Sequence, residues 1–247
     1  MDCPRYGSIH YPKAGFVKGR QRYQCKECRY HYTVEKKSDV DTAKFAQLVP
    51  RDKYDIDDFS LTIPAGERSG RMKLRVRPDG LSPDSVYFIS LKVDSHSTYE
   101  VNPDKNDILY RVFIKNKYAT QESTTNYNLR GNRNGVNTPG VKPMHPISKN
   151  KVRIMAGTEP FAAKLTTITS LSIILEIDDD NNVHISPYKD IVVEQVNDDP
   201  EFLNTFRIED DGYKTYKTFL LRYDYKVGNT TYQMREELRR EFKEEDE

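Results

Sequence analysis

The chain has 247 residues, of which 36% are hydrophobic and 31% are charged, and its formal net charge is +1. It contains no run of about 18 apolar residues and no basic-then-apolar leader, so the sequence predicts neither a membrane-spanning helix nor a signal peptide. Taken literally, this predicts a cytosolic protein. Its only cysteines, Cys3, Cys25 and Cys28, lie in one short stretch, which excludes a disulfide scaffold.

Charge divides the chain into a basic head and a mildly acidic body. Residues 1–37 hold nine Lys and Arg against three Asp and Glu, a net +6, and the remainder holds thirty against thirty-five, a net −5. Such an asymmetry in net charge indicates that the head and the body have different origins. Together with the strand patterns further along the chain, it predicts three segments: 1–37, 38–118 and 119–247.

The head carries most of a zinc-binding pattern. Structural zinc takes four ligands, usually from two Cys-x-x-Cys turns. Cys25 and Cys28 make one such turn, whereas Cys3 begins a turn whose second position is Tyr6. Tyrosine is a poor zinc ligand at neutral pH because its pKa is about 10. The pattern predicts a degenerate zinc site, with two histidines near enough in sequence to substitute for the missing ligand: His10 and His31.

The stretch "AGFVKGRQRYQCKEC", residues 14–28, gives this pattern a family context. Together with Cys3-Pro4 it resembles the zinc ribbon of insertion-sequence transposases, but the resemblance ends at about residue 37, and the acidic triad and helix-turn-helix of such enzymes have no counterpart. The resemblance implies DNA binding through Lys18, Arg20 and Arg22, which would contact phosphates. Two interpretations stay open: a ribbon remnant joined to an unrelated protein, or a zinc-dependent DNA-binding module.

Residues 38–118 show strand patterns. Met72, Leu74 and Val76 share one face of a predicted strand whose other face is basic. "SVYFISLKV" (85–93) and "ILYRVFIKN" (108–116) are rich in β-branched and aromatic residues and predict two further strands, and "SLTI" (60–63) predicts a short one. An immunoglobulin-like sandwich needs about seven strands. The segment is therefore predicted to be a truncated sandwich.

Residues 119–247 contain seven or eight further strand-like runs, which predict an antiparallel barrel, lipocalin-like in outline, or a second sandwich. Hairpin turns are predicted at "DDDNN" (178–182) and "VGNT" (227–230). By contrast, "GVNTPGVKPMHPISKN" (135–150) is predicted to be a long loop because it is rich in glycine and proline. The closing "MREELRREF" (234–242) fits a short helix or a strand equally well. The expected fold class is all-β.

The body has its own family resemblance, over residues 55–247. The residues that carry it are "IPAGE" at 63–67, Leu81, Tyr87, Leu91–Val93, and the later runs "NKVRIMAG", "VHISPYKDIVVEQVNDDPEF" and "FLLRYDYKVGNTTYQMREELRREF". They resemble the uncharacterised two-domain surface lipoproteins encoded in glycan-utilisation loci of gut bacteria, which join a β-sandwich to a barrel-like domain. The resemblance implies a non-catalytic accessory protein at the cell surface or in the periplasm, with a glycan as its partner. A structural domain or fusion product without activity of its own stays open as an alternative. Because the chain shows no signal peptide, its location stays open.

Motifs for other chemistry are missing from the sequence. It has no nucleophile elbow, phosphate loop or dinucleotide fingerprint, so no enzyme is expected, and zinc at the head is the one cofactor considered. Sugar platforms are built from aromatic rings, and there is no Trp. Five tyrosines on or beside predicted strands could supply a platform, although rings in that pattern are usually packing residues: Tyr213, Tyr216, Tyr223, Tyr225 and Tyr232.

Overall fold

The computed structural model describes residues 12–17, 20–29, 31–33, 46–95 and 101–242. Strands account for 50% of the structure and helix for 6%, which confirms the all-β class. The chain divides into two compact units, Met1–Asp41 and Thr42–Glu247.

The first unit contains a small antiparallel sheet. Its three strands, β1 (Lys13–Val17), β2 (Arg20–Gln24) and β3 (His31–Thr33), lie in the order β1-β2-β3. The tight turn Cys25–Cys28 connects β2 to the segment that leads into β3. Arg29 follows with a φ of 55°, a left-handed conformation that reverses the chain direction. Two of the predicted zinc ligands therefore lie together in one turn.

The second unit begins with two small sheets that face each other across a shared core. Their strands are β4 (Ala46–Leu48), β5 (Tyr54–Ile56), β6 (Leu74–Val76), β7 (Val86–Lys92) and β8 (Asp107–Val112), and two short 3-10 turns occur at Arg51–Lys53 and Pro103–Lys105. The larger sheet has the order β4-β7-β8, and β5 pairs with β6. The core between them is small: Val49, Leu81, Tyr87, Ile89, Val112 and Ile114. We call this part, residues 46–114, the open sandwich.

Two of the strands predicted for the open sandwich differ in the structure. The run "SLTI" forms no strand, and Leu61 and Ile63 are each about half exposed. The strand predicted from Met72 begins only at Leu74, where β6 meets β5. In both places an alternating pattern has no neighbouring strand within the described residues. A strand is stable only when its backbone groups are paired. Strands β7 and β8 lie where the sequence predicts them.

The remaining strands form one ten-stranded sheet that curls into a nearly closed barrel. In chain order they are β9 (Thr125–Arg133), β10 (Val136–Asn137), β11 (Gly140–Ser148), β12 (Lys151–Met155), β13 (Ser172–Ile177), β14 (Val183–Pro187), β15 (Val192–Gln195), β16 (Thr205–Asp210), β17 (Thr215–Val227) and β18 (Thr230–Phe242). The main path is β14-β13-β12-β11-β9-β18-β17-β15. A short helix, α1 (Leu165–Leu171), precedes β13.

The barrel closes through the far edge of β17. That edge pairs with β16 along its first half and with β15 along its second half. Strand β14 then reaches the same side through the backbone, because Val183 N donates to Asn204 O (2.7 Å) and Asn182 bridges Thr205. Alternate residues of each strand point inward and fill the interior, as expected for a narrow barrel.

Two segments of the barrel can be compared with their predictions from the sequence, residues 135–150 and the closing segment 234–242. The predicted loop at 135–150 is wrong, because it contains the nine-residue strand β11 despite Pro143 and Pro146. The first half of β11 pairs only with β9 and its second half only with β12, so each proline lies beside one unpaired edge, where a missing N–H is tolerated. The closing segment is a strand, since β18 pairs with β17 along its whole length. Both predicted hairpin turns are confirmed.

A buried ion pair fastens the open sandwich to the barrel. Arg153 on β12 is 1% exposed and makes a bidentate contact with Asp84, in which Nη2 lies 2.7 Å from Oδ1. Nearby, Gln121 Nε2 donates to the backbone oxygens of Pro83 (2.9 Å) and Ser85 (2.5 Å). A buried ion pair of this kind fixes orientation more than it adds stability. The two parts of the second unit are therefore held in one geometry.

Candidate functional site

The predicted zinc ligands are described only in part. Cys25 is buried and Cys28 is partly buried, and they lie in the same turn, while His31 is exposed on β3. Cys3, Tyr6 and His10 lie outside the described residues. Within the described part of the chain, no group of three or more His, Cys, Asp or Glu side chains is arranged to hold a metal. The zinc site stays a prediction.

The surroundings of the Cys25 thiol favour its protonated form. Its Sγ donates to Glu27 Oε2 at 3.3 Å. A backbone hydrogen bond from Cys28 lowers the pKa of the thiol, but desolvation and the side-chain hydrogen bonds with Cys28 and Glu27 outweigh it and raise the pKa to about 11. A zinc ion would reverse this, because thiolate is the form that binds metal.

The predicted DNA contacts fall in the same unit. Arg20 and Arg22 both lie on β2, two residues apart. Lys18 lies outside the described residues. The structure brings the two arginines onto one strand next to the Cys25–Cys28 turn, and their role as phosphate contacts stays a prediction.

The barrel interior contains a buried polar cluster that the sequence analysis missed. Lys142 on β11 and Glu236 on β18 form an ion pair with 4% and 0% of their side chains exposed. The other carboxylate oxygen of Glu236 accepts a hydrogen bond from the Tyr223 hydroxyl (2.7 Å), and that hydroxyl accepts one from Gly157 N (2.7 Å). Four groups from four parts of the chain thus satisfy one another at the centre of the barrel.

Burial shifts the ionisation of this cluster. Desolvation lowers the pKa of Lys142, and the neighbouring Glu236 carboxylate opposes that shift. Desolvation, reinforced by the Glu236 charge, raises the pKa of Tyr223 far above its usual value, so its hydroxyl stays protonated. A signal was present in the sequence: on β18, Glu236 occupies the position between Met234 and Leu238 in the period-two pattern, which places its carboxylate on the inward face.

A second polar group lies toward the mouth of the barrel. Arg133 donates to Thr158 Oγ1 (2.8 Å) and to Glu159 Oε1 (3.0 Å), and its guanidinium carbon lies 3.7 Å from the centre of the Tyr232 ring. The Tyr225 hydroxyl contacts Glu159 at 3.4 Å, and desolvation raises its pKa to about 12. Side chains therefore occupy the interior from its centre to its mouth, unlike the open cavity that a lipocalin-like outline would suggest.

The five tyrosines that could have supplied a sugar platform do not share one exposed surface. Tyr223 and Tyr225 are buried inside the barrel, and Tyr232 packs against the same core. Tyr213 is 96% exposed, at the tip of the β16–β17 hairpin. Tyr216 is partly buried, with Arg239 stacked on its ring at 3.7 Å. On β17, Tyr216 lies an odd number of residues from Tyr223 and Tyr225 and therefore faces the opposite side of the strand.

A cleft of about 540 Å³ lies between the open sandwich and one end of the barrel. We call it the junction cleft. Residues of both signs and several amides line it: Pro78, Asp79, Ile114, Lys115, Asn116, Lys117, Tyr118, Ser148, Lys149, Asn150, Ile177, Asp178, Asp179 and Asn181. It is formed where the segment leading from β8 to β9 passes the β11–β12 and β13–β14 turns. The junction cleft leaves no local signal in the sequence, because its walls come from four separated segments of the chain.

Hydrogen bonds preorganise the walls of the junction cleft. Asn116 Nδ2 donates to the backbone oxygens of Ser148 (2.7 Å) and Lys151 (3.0 Å), and its Oδ1 accepts from the amides of Tyr118 and Ala119. In the β13–β14 turn, Asp178 accepts from Asn182 Nδ2 (3.0 Å) and from two backbone amides. The hydrogen bond from Asn182 is the main reason that the pKa of Asp178 is lowered. The exposed Asp179 and Lys149 side chains project from walls that are held in place.

The fold thus defines a class: a two-part β protein in which a small sandwich precedes an antiparallel barrel. Family models agree with this division, since one for an N-terminal domain matches residues 16–100 and its C-terminal counterpart matches residues 106–239. The chain belongs to the two-domain family that these models describe. Because the N-terminal match starts inside the predicted head, the segment boundaries proposed from the sequence stay predictions.

Solved structures share the fold at low sequence identity. A Bacteroides ovatus protein of unknown function is 13% identical, with a TM-score of 0.55 over 79% of this chain and 70% of its own. A multidomain Bacteroides ovatus protein that includes DUF1735 is 12% identical, with a TM-score of 0.53 over the same shares. No curated protein matches the chain. These comparisons confirm the predicted two-domain β family, and they do not show the zinc-ribbon resemblance.

Among the described residues, no helix is both long and apolar enough to cross a bilayer.

Proposed function

We propose that the chain is a non-catalytic accessory protein that binds a carbohydrate, and that the junction cleft is the binding site. The observation that carries the proposal is the cleft itself, about 540 Å³ in volume and lined by carboxylates, amides and lysines. Ligand sites commonly lie between domains and occupy about 300–1,000 Å³. Sugar hydroxyls both donate and accept hydrogen bonds, and a wall that mixes Asp, Asn and Lys offers partners for both roles.

The preorganised walls support the same proposal. Asn116 and Asp178 use their polar atoms to hold the turns, so a ligand would meet groups that are already positioned. Preorganisation reduces the entropy lost on binding. Asp179 and Lys149 are exposed on two neighbouring turns of the cleft wall, where both are available to a ligand. The cleft lacks a broad exposed ring, since Tyr118 is only 7% exposed, so the proposal favours a short, polar oligosaccharide over a crystalline polymer face.

Isothermal titration calorimetry tests this proposal. The full chain is first screened against plant and host polysaccharides and their oligosaccharides, and the best ligand is then titrated into two cleft variants, Asp179→Ala and Lys149→Ala. Each is expected to weaken binding about tenfold, the equivalent of one hydrogen bond to a charged group. Asp198→Ala and Lys164→Ala are matched controls, because both side chains are exposed outside the cleft. A screen without any binding carbohydrate would refute the proposal.

A second proposal concerns the first unit, where we infer a zinc-dependent DNA-binding ribbon as the alternative function. Its support is the three-stranded antiparallel sheet with Cys25 and Cys28 together in one turn beside β2. The proposal expects about one zinc per chain by mass spectrometry of metals. It also expects salt-sensitive DNA affinity that falls in Arg20→Ala/Arg22→Ala and not in the exposed control pair Arg68→Ala/Arg71→Ala. Protein without zinc, or with equal losses in both pairs, contradicts it.

A further inference from the structure

Strand β8 is an exposed edge with an apolar surface. It lies at one end of the β4-β7-β8 sheet, and five of its six residues are exposed. Among these, Ile108, Leu109 and Tyr110 are 58%, 57% and 52% exposed. Within the described ranges, no strand pairs with its outer side. An edge strand with adjacent apolar residues is a template for pairing with another strand, unless charge or cover blocks it.

The backbone of β8 points alternate residues toward this open side. Val93 N donates to Asn106 O (2.8 Å), so Asn106 faces β7. The register between β7 and β8 is continuous from there to Val112, and hydrogen-bonding direction alternates along an antiparallel strand. The N–H and C=O groups of Asp107, Leu109 and Arg111 therefore face outward.

The side chains of β8 are complementary to themselves. If a second β8 runs antiparallel with Leu109 opposite its own copy, Asp107 of each strand faces Arg111 of the other, and Ile108 faces Tyr110. Both outer pairs are favourable, because opposite charges and a β-branched residue beside an aromatic are stabilising cross-strand pairs. This register also places the three outward-facing residues opposite one another, so each of their pairs exchanges two hydrogen bonds. A shift of one residue would lose both the charge pairing and the hydrogen bonds.

We propose that β8 is an interface for a second copy of this chain, and that the two copies join by antiparallel β8–β8 pairing about a two-fold axis at Leu109. The proposal is independent of carbohydrate binding at the junction cleft. The contact is isologous, as a two-fold axis requires, and it extends two three-stranded sheets into one continuous sheet. Because the chain enters the barrel only after Val112, the two barrels lie at opposite ends of the paired strands. A contact confined to one strand and its neighbours is small, so the dimer is expected to be weak and concentration-dependent.

Sedimentation equilibrium of the full chain with charge-swapped variants tests the pairing register. Asp107→Arg and Arg111→Asp each place two pairs of like charges across the interface, so each variant alone is expected to dimerise about tenfold or more weakly than the wild type. When the two variants are mixed, every cross-strand pair again joins opposite charges. The mixture is expected to recover association to near the wild-type level. Both positions are exposed, so the substitutions leave the fold intact.

A further pair of variants separates the edge from the rest of the sheet. Leu109→Lys places two lysines against each other on the axis and is expected to abolish the dimer. Leu48→Lys is the matched control, because Leu48 is 63% exposed on β4 at the opposite edge of the same sheet. The proposal is overturned by a wild type that stays monomeric at every concentration, since another segment would then cover the edge. It is also overturned by a mixture of charge variants that stays monomeric, or by equal effects of the two lysine variants.

Discussion

The barrel and the open sandwich use the same kind of strand but bury their side chains to very different degrees. In the barrel, one continuous cluster of apolar side chains lies below 10% exposure, including Ile154, Leu175 and Phe219. In the open sandwich, the corresponding cluster has six members, and large apolar side chains such as Phe59, Ile63 and Tyr110 remain at least half exposed. The difference is one of closure, since a barrel supplies its own second layer and a small sheet does not.

Closure of the barrel also determines how far an ion pair is shielded from solvent. Inside the barrel, Lys142 and Glu236 are surrounded on all sides and are satisfied by each other and by Tyr223. In the open sandwich, Arg75 and Arg77 pair with Asp57 and Asp55 at the surface, with roughly half of each side chain exposed. Pairs of the first kind are costly to break, whereas those of the second contribute little. The predictions below are ordered by how strongly they test this contrast.

The largest effect is expected for Glu236→Leu. It leaves the Lys142 charge buried without its partner, so the free energy of unfolding should fall by about 3–5 kcal/mol in urea denaturation. The double variant Lys142→Met/Glu236→Leu removes both charges and should recover most of that loss. Glu237→Leu is the control, because Glu237 is 26% exposed and lies 3.9 Å from Arg130. Equal losses in Glu236→Leu and the control would contradict the buried-pair explanation.

Arg153→Met is expected to separate the two parts. It removes the partner of Asp84 at the junction, which should destabilise the protein by about 3 kcal/mol, because an unpaired carboxylate is left in a buried position. The loss should fall mainly on the open sandwich, whose core is small. Urea unfolding followed by tyrosine fluorescence and by circular dichroism should then give two separate transitions. Coincident transitions for both probes would show that other contacts hold the parts together.

A matched pair of core truncations compares how well the barrel and the open sandwich can relax around a cavity. Leu175 in the barrel and Ile89 in the open sandwich are 0% and 1% exposed, so burial alone predicts the same cost for replacement by alanine. The cost of such a change is about 2–5 kcal/mol and is greatest where the surroundings cannot relax into the cavity. We expect Leu175→Ala to cost about 1 kcal/mol more than Ile89→Ala, because the open sandwich can collapse. Equal costs by urea denaturation would argue that the open sandwich is as rigid as the barrel.

The smallest effect concerns two of the aspartates with lowered pKa values, Asp55 in the open sandwich and Asp178 in the barrel. Side-chain hydrogen bonding with Arg77 lowers the pKa of Asp55, and side-chain hydrogen bonding with Asn182 lowers that of Asp178. Each contribution to stability is complete above the unfolded pKa of about 3.9 and is lost as the pH falls through the lower folded value. Salt of about 1 M should weaken the contribution that depends on the Arg77 charge more than the one at Asp178, whose main partner is the neutral Asn182 amide and whose further partner is His184 at 3.2 Å.

Thermal unfolding of Asp55→Asn and Asp178→Asn at several pH values, with and without salt, measures this difference. Between pH 6 and pH 3, each variant should lose less stability than the wild type. Salt should reduce the advantage of the Asp55 variant more than that of the Asp178 variant. A salt effect of equal size at both positions would contradict the assignment of Asn182 as the main cause at Asp178.

Local pattern predicted the elements whose residues meet their partners through the nearest turn. Strands β7 and β8 and the hairpins at 178–182 and 227–230 follow from alternation and turn residues. Strand β11 was missed because its prolines argue against a strand unless one knows that each half has a single neighbour. The run at 60–63 was predicted as a strand because alternation does not reveal whether a partner exists.

The candidate sites also differ in whether their residues are close together or far apart in the sequence. The Cys25–Cys28 turn is visible in the sequence because its residues are close in the chain. The Lys142–Glu236 pair joins residues 94 positions apart, and the junction cleft combines four turns, so neither produces a local signal. Strand β8 is intermediate: its self-complementary residues are adjacent in sequence, but only the sheet order makes it an edge.

By itself, the sequence determined the all-β class, the two-domain family and most hairpins, because side-chain alternation and turn chemistry act over a few residues. Only the tertiary structure decided which sheet closes, which inward positions hold charge and where a cleft forms. Those features depend on pairings between distant strands, such as β9 with β18, and a strand does not encode in its own residues which neighbour it will meet.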